Sequence, residues 1–367
     1  MKTLRDLLLK LLAVVLLSST LGCGALMTYE VSGKEYDKPP GKNDVTPKPF
    51  EDDEFLVEMA NRYGLMALFA EIVYRSELHE DVRDDQGCKY LVQGQNGDAQ
   101  YGMPKIADST EGWERWIPNG VGAPPCRNDK NGLYYETYVY RDSNNIIQEA
   151  VIAFRGTENR KGQAASDWGT NLSAAFGIEP AQYRTARIHL PDLIARLTDE
   201  GGPQIKIYTV GHSLGGGLAQ QAGYLSSKIK EAFTFNTTPV TNWTHLRHKG
   251  LVEQGYPIIH RIYHGGEGLE VPRFVATSAT EARYGRHDVG VQFGPRKFAK
   301  GHAMKILACN FGWILSKKML NGSHNYPKAY IDLRVLKEAT GAQSIPEMSN
   351  MPRRVCDDDL PGRGHSE

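Results

Sequence analysis

The chain has 367 residues, 40% of them hydrophobic, which is enough for a substantial core. Its 43 lysines and arginines balance 43 aspartates and glutamates. That balance argues against nucleic acid or any partner recruited by bulk charge.

Residues 1–22 have the layout of an export signal. Lys2, Arg5 and Lys10 precede an apolar core at Leu11 to Leu17 that is too short to span a bilayer. Ser19-Thr20-Leu21-Gly22 then lead into Cys23. Small residues before a cysteine resemble a bacterial lipobox, in which Cys23 would be lipidated; an ordinary secretion signal is the alternative. Gly24 is not the aspartate that retains many lipoproteins in the inner membrane, so the expected location is the cell envelope at the outer membrane. Residues 23–52 contain Pro39, Pro40, Pro47 and Pro49 among charged residues and few apolar ones. Such a tether spans on the order of 30 Å as a flexible coil. Removing Cys23 from the five cysteines leaves Cys88, Cys126, Cys309 and Cys356, an even set suited to an oxidising compartment. Neighbours in sequence suggest Cys88 with Cys126 and Cys309 with Cys356, one of three connectivities. Their spacing does not suit zinc, so no metal or other cofactor is expected.

The folded domain is expected over 53–351, followed by a loose tail at 352–367. Within it, 55–78 has Leu56, Met59, Tyr63, Met66, Ala67, Ala70 and Val73 at helical spacing. Residues 79–132 carry glycines and prolines and read as a long loop, with Trp113 and Trp116 either under it in the core or against a lipid surface. Strands are expected at 132–140 and 146–154 around the turn Asp142 to Asn145. A helix at 181–199 includes Pro191. Strand 205–210, helix 214–228, strands 232–236, 258–263 and 289–293, and an apolar helix at 304–315 complete the pattern. Strand–helix alternation implies a mostly parallel or mixed sheet covered by helices on both faces.

The chemistry is concentrated at Gly211-His212-Ser213-Leu214-Gly215, between an apolar strand and a helix-forming run. Gly-x-Ser-x-Gly in that setting is a nucleophile elbow, with Ser213 on a sharp turn at the head of a helix. A serine nucleophile needs a base, an orienting acid and two N–H groups facing the oxyanion. Leu214, the residue after the serine, supplies one N–H. His302, in Lys300-Gly301-His302-Ala303-Met304, stands at a loop-to-helix junction after the serine in chain order and is the expected base; His264 is the alternative. Asp288 precedes a predicted strand, at the wrong edge for an acid.

Phe154-Arg155-Gly156-Thr157, followed by Asp167-Trp168 and the elbow, resembles the class 3 lipases, the family of the fungal triacylglycerol lipases. The resemblance covers roughly 55–320 and implies an α/β-hydrolase fold, a mostly parallel central sheet flanked by helices. It also implies that Thr157 gives the second oxyanion N–H and that a late His-x-Met segment, here at His302, carries the base. The family's acid is an aspartate two residues before Val-Pro. Here Val271-Pro272 is preceded by Leu269 at that position, so a glutamate must serve, Glu267 or alternatively Glu270. Residues 158–176, with Trp168, Leu172 and Phe176 at helical spacing, form either a mobile lid or a packed helix. The implied activity is hydrolysis of lipid acyl esters by a lipase or phospholipase A. Alternatives are a non-catalytic envelope lipoprotein, a short-chain esterase or an acyltransferase. The expected partners are the ester substrate and the membrane that holds the anchor; the sequence does not fix the oligomeric state.

Overall fold

The computed structural model describes residues 53–74, 112–116, 126–129, 131–156, 179–254, 257–270, 286–291, 293 and 302–317. The expected signal segment, tether, lid and tail, with Cys23, Cys88, Thr157 and Cys356, lie outside them. So do the expected partners of Cys126 and Cys309, although both of these cysteines are disulfide-bonded.

The described elements are α1 (Asp53–Ile72), β1 (Gly112–Arg115), β2 (Cys126–Asn128), β3 (Tyr134–Arg141), β4 (Ile147–Phe154), α2 (Ala181–Gly201), β5 (Lys206–His212), α3 (Leu214–Leu225), β6 (Ile229–Phe235), α4 (Trp243–His248), β7 (Ile258–His264), β8 (Arg286–Val291) and α5 (Met304–Lys317). Eight strands make one sheet in the order β1-β3-β4-β5-β6-β7-β8, with β2 also on β3. Strands β4 to β8 are parallel. The antiparallel part is the β3–β4 hairpin, with β1 and β2 lying end to end along the outer side of β3.

Alternation along the strands sends side chains to two cores. Val151, Ala153, Tyr208, Val210, Phe233 and Phe235 face α1 and α5. Ala150, Ile152, Phe154 and Ile207 face α2 and α3. This is the period-two pattern of a sheet covered on both sides. The hairpin turn forms because Asp142 Oδ1 accepts the N–H groups of Asn144 and Ile146, both at 2.9 Å, while Asn145 takes φ 63°.

Several expectations are corrected and one alternative is decided. Residues 79–132 are not loop throughout, since β1 and β2 lie within them. Trp113 and Trp116 point into opposite cores, both fully buried, which removes them from any lipid surface. In α1 the apolar residues do not form a single stripe. Leu65, Leu68, Phe69 and Ile72 are buried along with the expected face, because residues 63–70 are all enclosed while Glu58 stays exposed. It ends at Ile72 rather than running to 78. Pro191 sits inside α2 without ending it. The short α4 carries no apolar periodicity in sequence beyond Leu246, and was not expected.

Candidate active site

The elbow between β5 and α3 places Ser213 at φ 54°, ψ −123°, a strained conformation for a residue with a side chain. The flanking glycines make that turn possible. A Cβ on Gly211 would strike the backbone of Gly215 and Gly216, and one on Gly215 would strike the end of β4 at Phe154, Arg155 and Gly156. The turn is also tied to its neighbours. Ser213 N–H donates to Phe235 O at 3.0 Å, and Ser213 O accepts from Gly216 and Thr238. Leu214 is the first residue of α3, so its N–H is among those a helix start leaves unpaired within the helix.

Three side chains that the sequence singled out meet here. His302 Nε2 lies 3.0 Å from Ser213 Oγ, and His302 Nδ1 lies 2.6 Å from Glu267 Oε2. Glu267 has no side-chain exposure and His302 has 25%. An ionised carboxylate only accepts, so Nδ1 carries the proton and Nε2 presents its lone pair to the Ser213 hydroxyl. Glu267 Oε2 also accepts Leu269 N–H at 2.8 Å, which fixes the carboxylate in the turn after β7. Glu270, the other acid considered, accepts Gly266 N–H from within the same turn. His264 accepts Phe293 N–H on Nε2 at 3.0 Å. Asp288 lies within β8, in a bidentate pair with Arg261.

The end of β4, which leads to Thr157, is held from several sides. Arg155 N–H donates to Tyr134 O, and its guanidinium lies over the Tyr134 ring, 4.4 Å from the centroid. That ring is itself fixed by a 2.6 Å bond to the buried Glu136, which also receives Tyr138 and Arg115. Burial, followed by the Glu136 charge, pushes both tyrosines well above their ordinary pKa, so they remain donors. Gly156 N–H donates to Tyr74 Oη at 2.8 Å.

Sequence reasoning missed Tyr74, His212 and Asn236. Tyr74 Oη is 2.9 Å from His212 Nδ1, His212 Nε2 is 2.7 Å from His302 O, and Asn236 Nδ2 donates to the same carbonyl at 3.1 Å. His212 was visible as the second residue of the elbow. Nothing local marks Tyr74 or Asn236, because their partners are distant in sequence.

A strained serine between a parallel strand and a helix, facing a histidine and an acid at the C-terminal edge of a mostly parallel sheet, defines an α/β-hydrolase. A Tle-like phospholipase domain model matches residues 66–256, and the chain belongs to that family. The matched family is described as phospholipase-like. The match takes in Ser213 and stops before Glu267 and His302. The chain is 29% identical over 153 residues to an extracellular phospholipase A1 from Serratia liquefaciens, a stretch that is 42% of this chain and 40% of that protein. Among solved structures it is similar to the extracellular lipase LipA from Serratia marcescens (16% identity, 85% of this chain and 51% of that one, TM-score 0.32). It is also similar to esterase B from Lactobacillus rhamnosis (14% identity, 55% and 81%, TM-score 0.30).

Proposed function

We propose that this chain is a serine hydrolase that cleaves acyl esters of lipids, as a lipase or phospholipase A, with Ser213 as nucleophile, His302 as base and Glu267 as acid. The observation that carries this reading is the unbroken hydrogen-bond series Ser213–His302–Glu267 at the elbow. His302 Nε2 takes the Ser213 proton as Oγ attacks the ester carbonyl carbon. Leu214 and Thr157 N–H groups receive the oxyanion, each donor of this kind being worth about 10²–10³ in rate. The C–O bond to the alcohol then breaks, and His302 returns the proton to the leaving oxygen. Water, deprotonated by His302, attacks the acyl-enzyme and releases the fatty acid. Glu267 stays ionised and balances the imidazolium.

Glycerophospholipid is the preferred substrate class, on the strength of the family and of the Serratia liquefaciens relative's name. The kinship with class 3 lipases belongs to the same proposal, resting on Phe154 to Thr157 and the elbow. So does the envelope setting: export by residues 1–22, an acyl anchor on Cys23, a tether over 23–52, a hydrolase domain over 53–351 and a loose tail over 352–367. No helix among the described residues is long and apolar enough to cross a membrane. The test is labelling with a fluorophosphonate together with a panel of phospholipid, triacylglycerol and acetyl esters. Labelling and turnover should vanish in Ser213→Ala, and the wild type should release long-chain fatty acid. Labelling that persists in Ser213→Ala sinks the nucleophile, and activity confined to acetyl esters sinks the lipid substrate. Radiolabelled palmitate should enter the wild type and not Cys23→Ala.

A further inference from the structure

The Tyr74–His212 relay is directional. His302 O can only accept, so His212 must carry its proton on Nε2, which leaves Nδ1 as the acceptor of the Tyr74 hydroxyl proton. Tyr74 Oη in turn accepts Gly156 N–H. The order is therefore Gly156 N–H to Tyr74 Oη–H to His212 Nδ1, then His212 Nε2–H to His302 O. One end holds the strand terminus that leads into the expected oxyanion donor Thr157. The other end holds the backbone of the base.

The surroundings are shaped for this arrangement. A Cβ on Gly156 would collide with Tyr74 Oη and His212 O and crowd Ser213 Cβ. His212 is 6% exposed, and its ring packs against both partners, its centroid 4.8 Å from that of His302 and 5.6 Å from that of Tyr74. Asn236 supplies the second donor to His302 O while its Oδ1 accepts His264 N–H at 2.9 Å, which ties the same carbonyl to the end of β7. Asn236 holds φ 42°, a left-handed value that turns the chain at the end of β6.

We infer that Tyr74 and His212 are positioning residues that couple the base to the end of β4, so that His302 and Gly156 keep one fixed spacing about Ser213. The inference rests on the serine-hydrolase reading above. Neither residue is required to touch the ester. A base held only through its ring could still swing about its backbone; with its carbonyl held by two donors it cannot. Displacing a reacting group by about 1 Å typically costs on the order of 10²-fold in rate.

The test compares Tyr74→Phe, His212→Leu and His212→Gln in the full chain, with active sites titrated to completion by a fluorophosphonate so that kcat is counted per reactive serine. Tyr74→Phe keeps the ring and loses the hydroxyl. It should lower kcat by roughly 10- to 100-fold with KM within about twofold. His212→Leu should do the same. His212→Gln offers an N–H toward His302 O and a carbonyl toward Tyr74, and should recover to within about fivefold of wild type. Thermal unfolding midpoints separate loss of fold from loss of rate, and a partly unfolded variant lowers the titre and not kcat. Wild-type kcat in Tyr74→Phe, or a His212→Gln variant as slow as His212→Leu, overturns the relay. If Ser213→Ala is dead while Tyr74→Phe is normal, the relay alone fails; if Ser213→Ala still turns over, the hydrolase reading fails first.

Discussion

Glu267 uses one oxygen for two tasks. Its Oε2 receives both His302 Nδ1–H and Leu269 N–H, and the side chain is wholly buried. Glu270, three residues on, closes the same turn by accepting Gly266 N–H. The two carboxylates therefore separate by function, one toward the histidine and one toward the backbone. Glu267→Gln should lower kcat by about 10²–10⁴, because a neutral amide cannot balance the imidazolium charge, and its NH2 group, turned to Nδ1, selects the wrong tautomer. Glu270→Gln should stay within about tenfold of wild type, since an amide oxygen can still accept the backbone N–H. Steady-state kinetics on both variants checks the pair, and equal losses would count against assigning the acid to Glu267. The sequence narrowed the acid to Glu267, with Glu270 as the alternative, and both lie in one short polar turn. What separates them is contact with His302, a residue far along the chain. Ser213 was legible for the opposite reason: its glycines, strand and helix are all within a few residues of it.

At the scale of elements, the regular interior was readable and the edge was not. Strands β3 to β7 and helices α2, α3 and α5 carry apolar runs or stripes long enough to declare themselves. β1 and β2 have four and three residues, with Glu114, Arg115 and Arg127 among them, and offer no alternation to detect. They exist because β3 presents an unpaired side to be covered. The start of α2 is held by something equally hard to foresee. Glu179, just before it, accepts two hydrogen bonds from Arg187 and one from Asn242, and lies near His245 of α4. Burial pushes the Glu179 pKa up, but the bonds from Arg187 and Asn242 outweigh it and hold the group below its ordinary 4.5. A carboxylate depressed on folding stabilises above its unfolded pKa and loses that contribution as pH falls through the folded one. Glu179→Gln should therefore cost about 1–3 kcal/mol at neutral pH. Urea titrations should show the gap between variant and wild type closing below about pH 4.5, and a gap independent of pH would refute the assignment.

The whole molecule has two unlike sheet edges. The C-terminal ends of β5 and β7 lead into Ser213 and Glu267, as expected for parallel sheets. Near the opposite ends, Glu149 of β4 is in register with Lys206 of β5, and Glu231 of β6 lies opposite Tyr208, two residues further along β5. Burial lifts the Glu149 carboxyl to about 7 despite Lys206, 3.5 Å away, with Glu231 adding repulsion. Here the sign is reversed. The folded state holds a proton that the unfolded chain has already lost, so this group weakens the fold progressively between about pH 4.5 and 7. Glu149→Gln should raise stability by up to roughly 3 kcal/mol at pH 8 and by little at pH 4. Thermal melts across that range would decide it, and a variant less stable than wild type at pH 8 would show that the Lys206 pairing dominates instead. The packing of α1 against α5 sets an order of events for the chain as it is made. These are the first and last described helices, α1 ends beside Tyr74, and α5 begins just after His302. A nascent chain that lacks α5 exposes the apolar flank of α1 and lacks the contact of His302 with Ser213. Closure between such distant segments is slow. The serine should therefore gain its reactivity only in the final stage of folding, after the rest of the sheet has been synthesised.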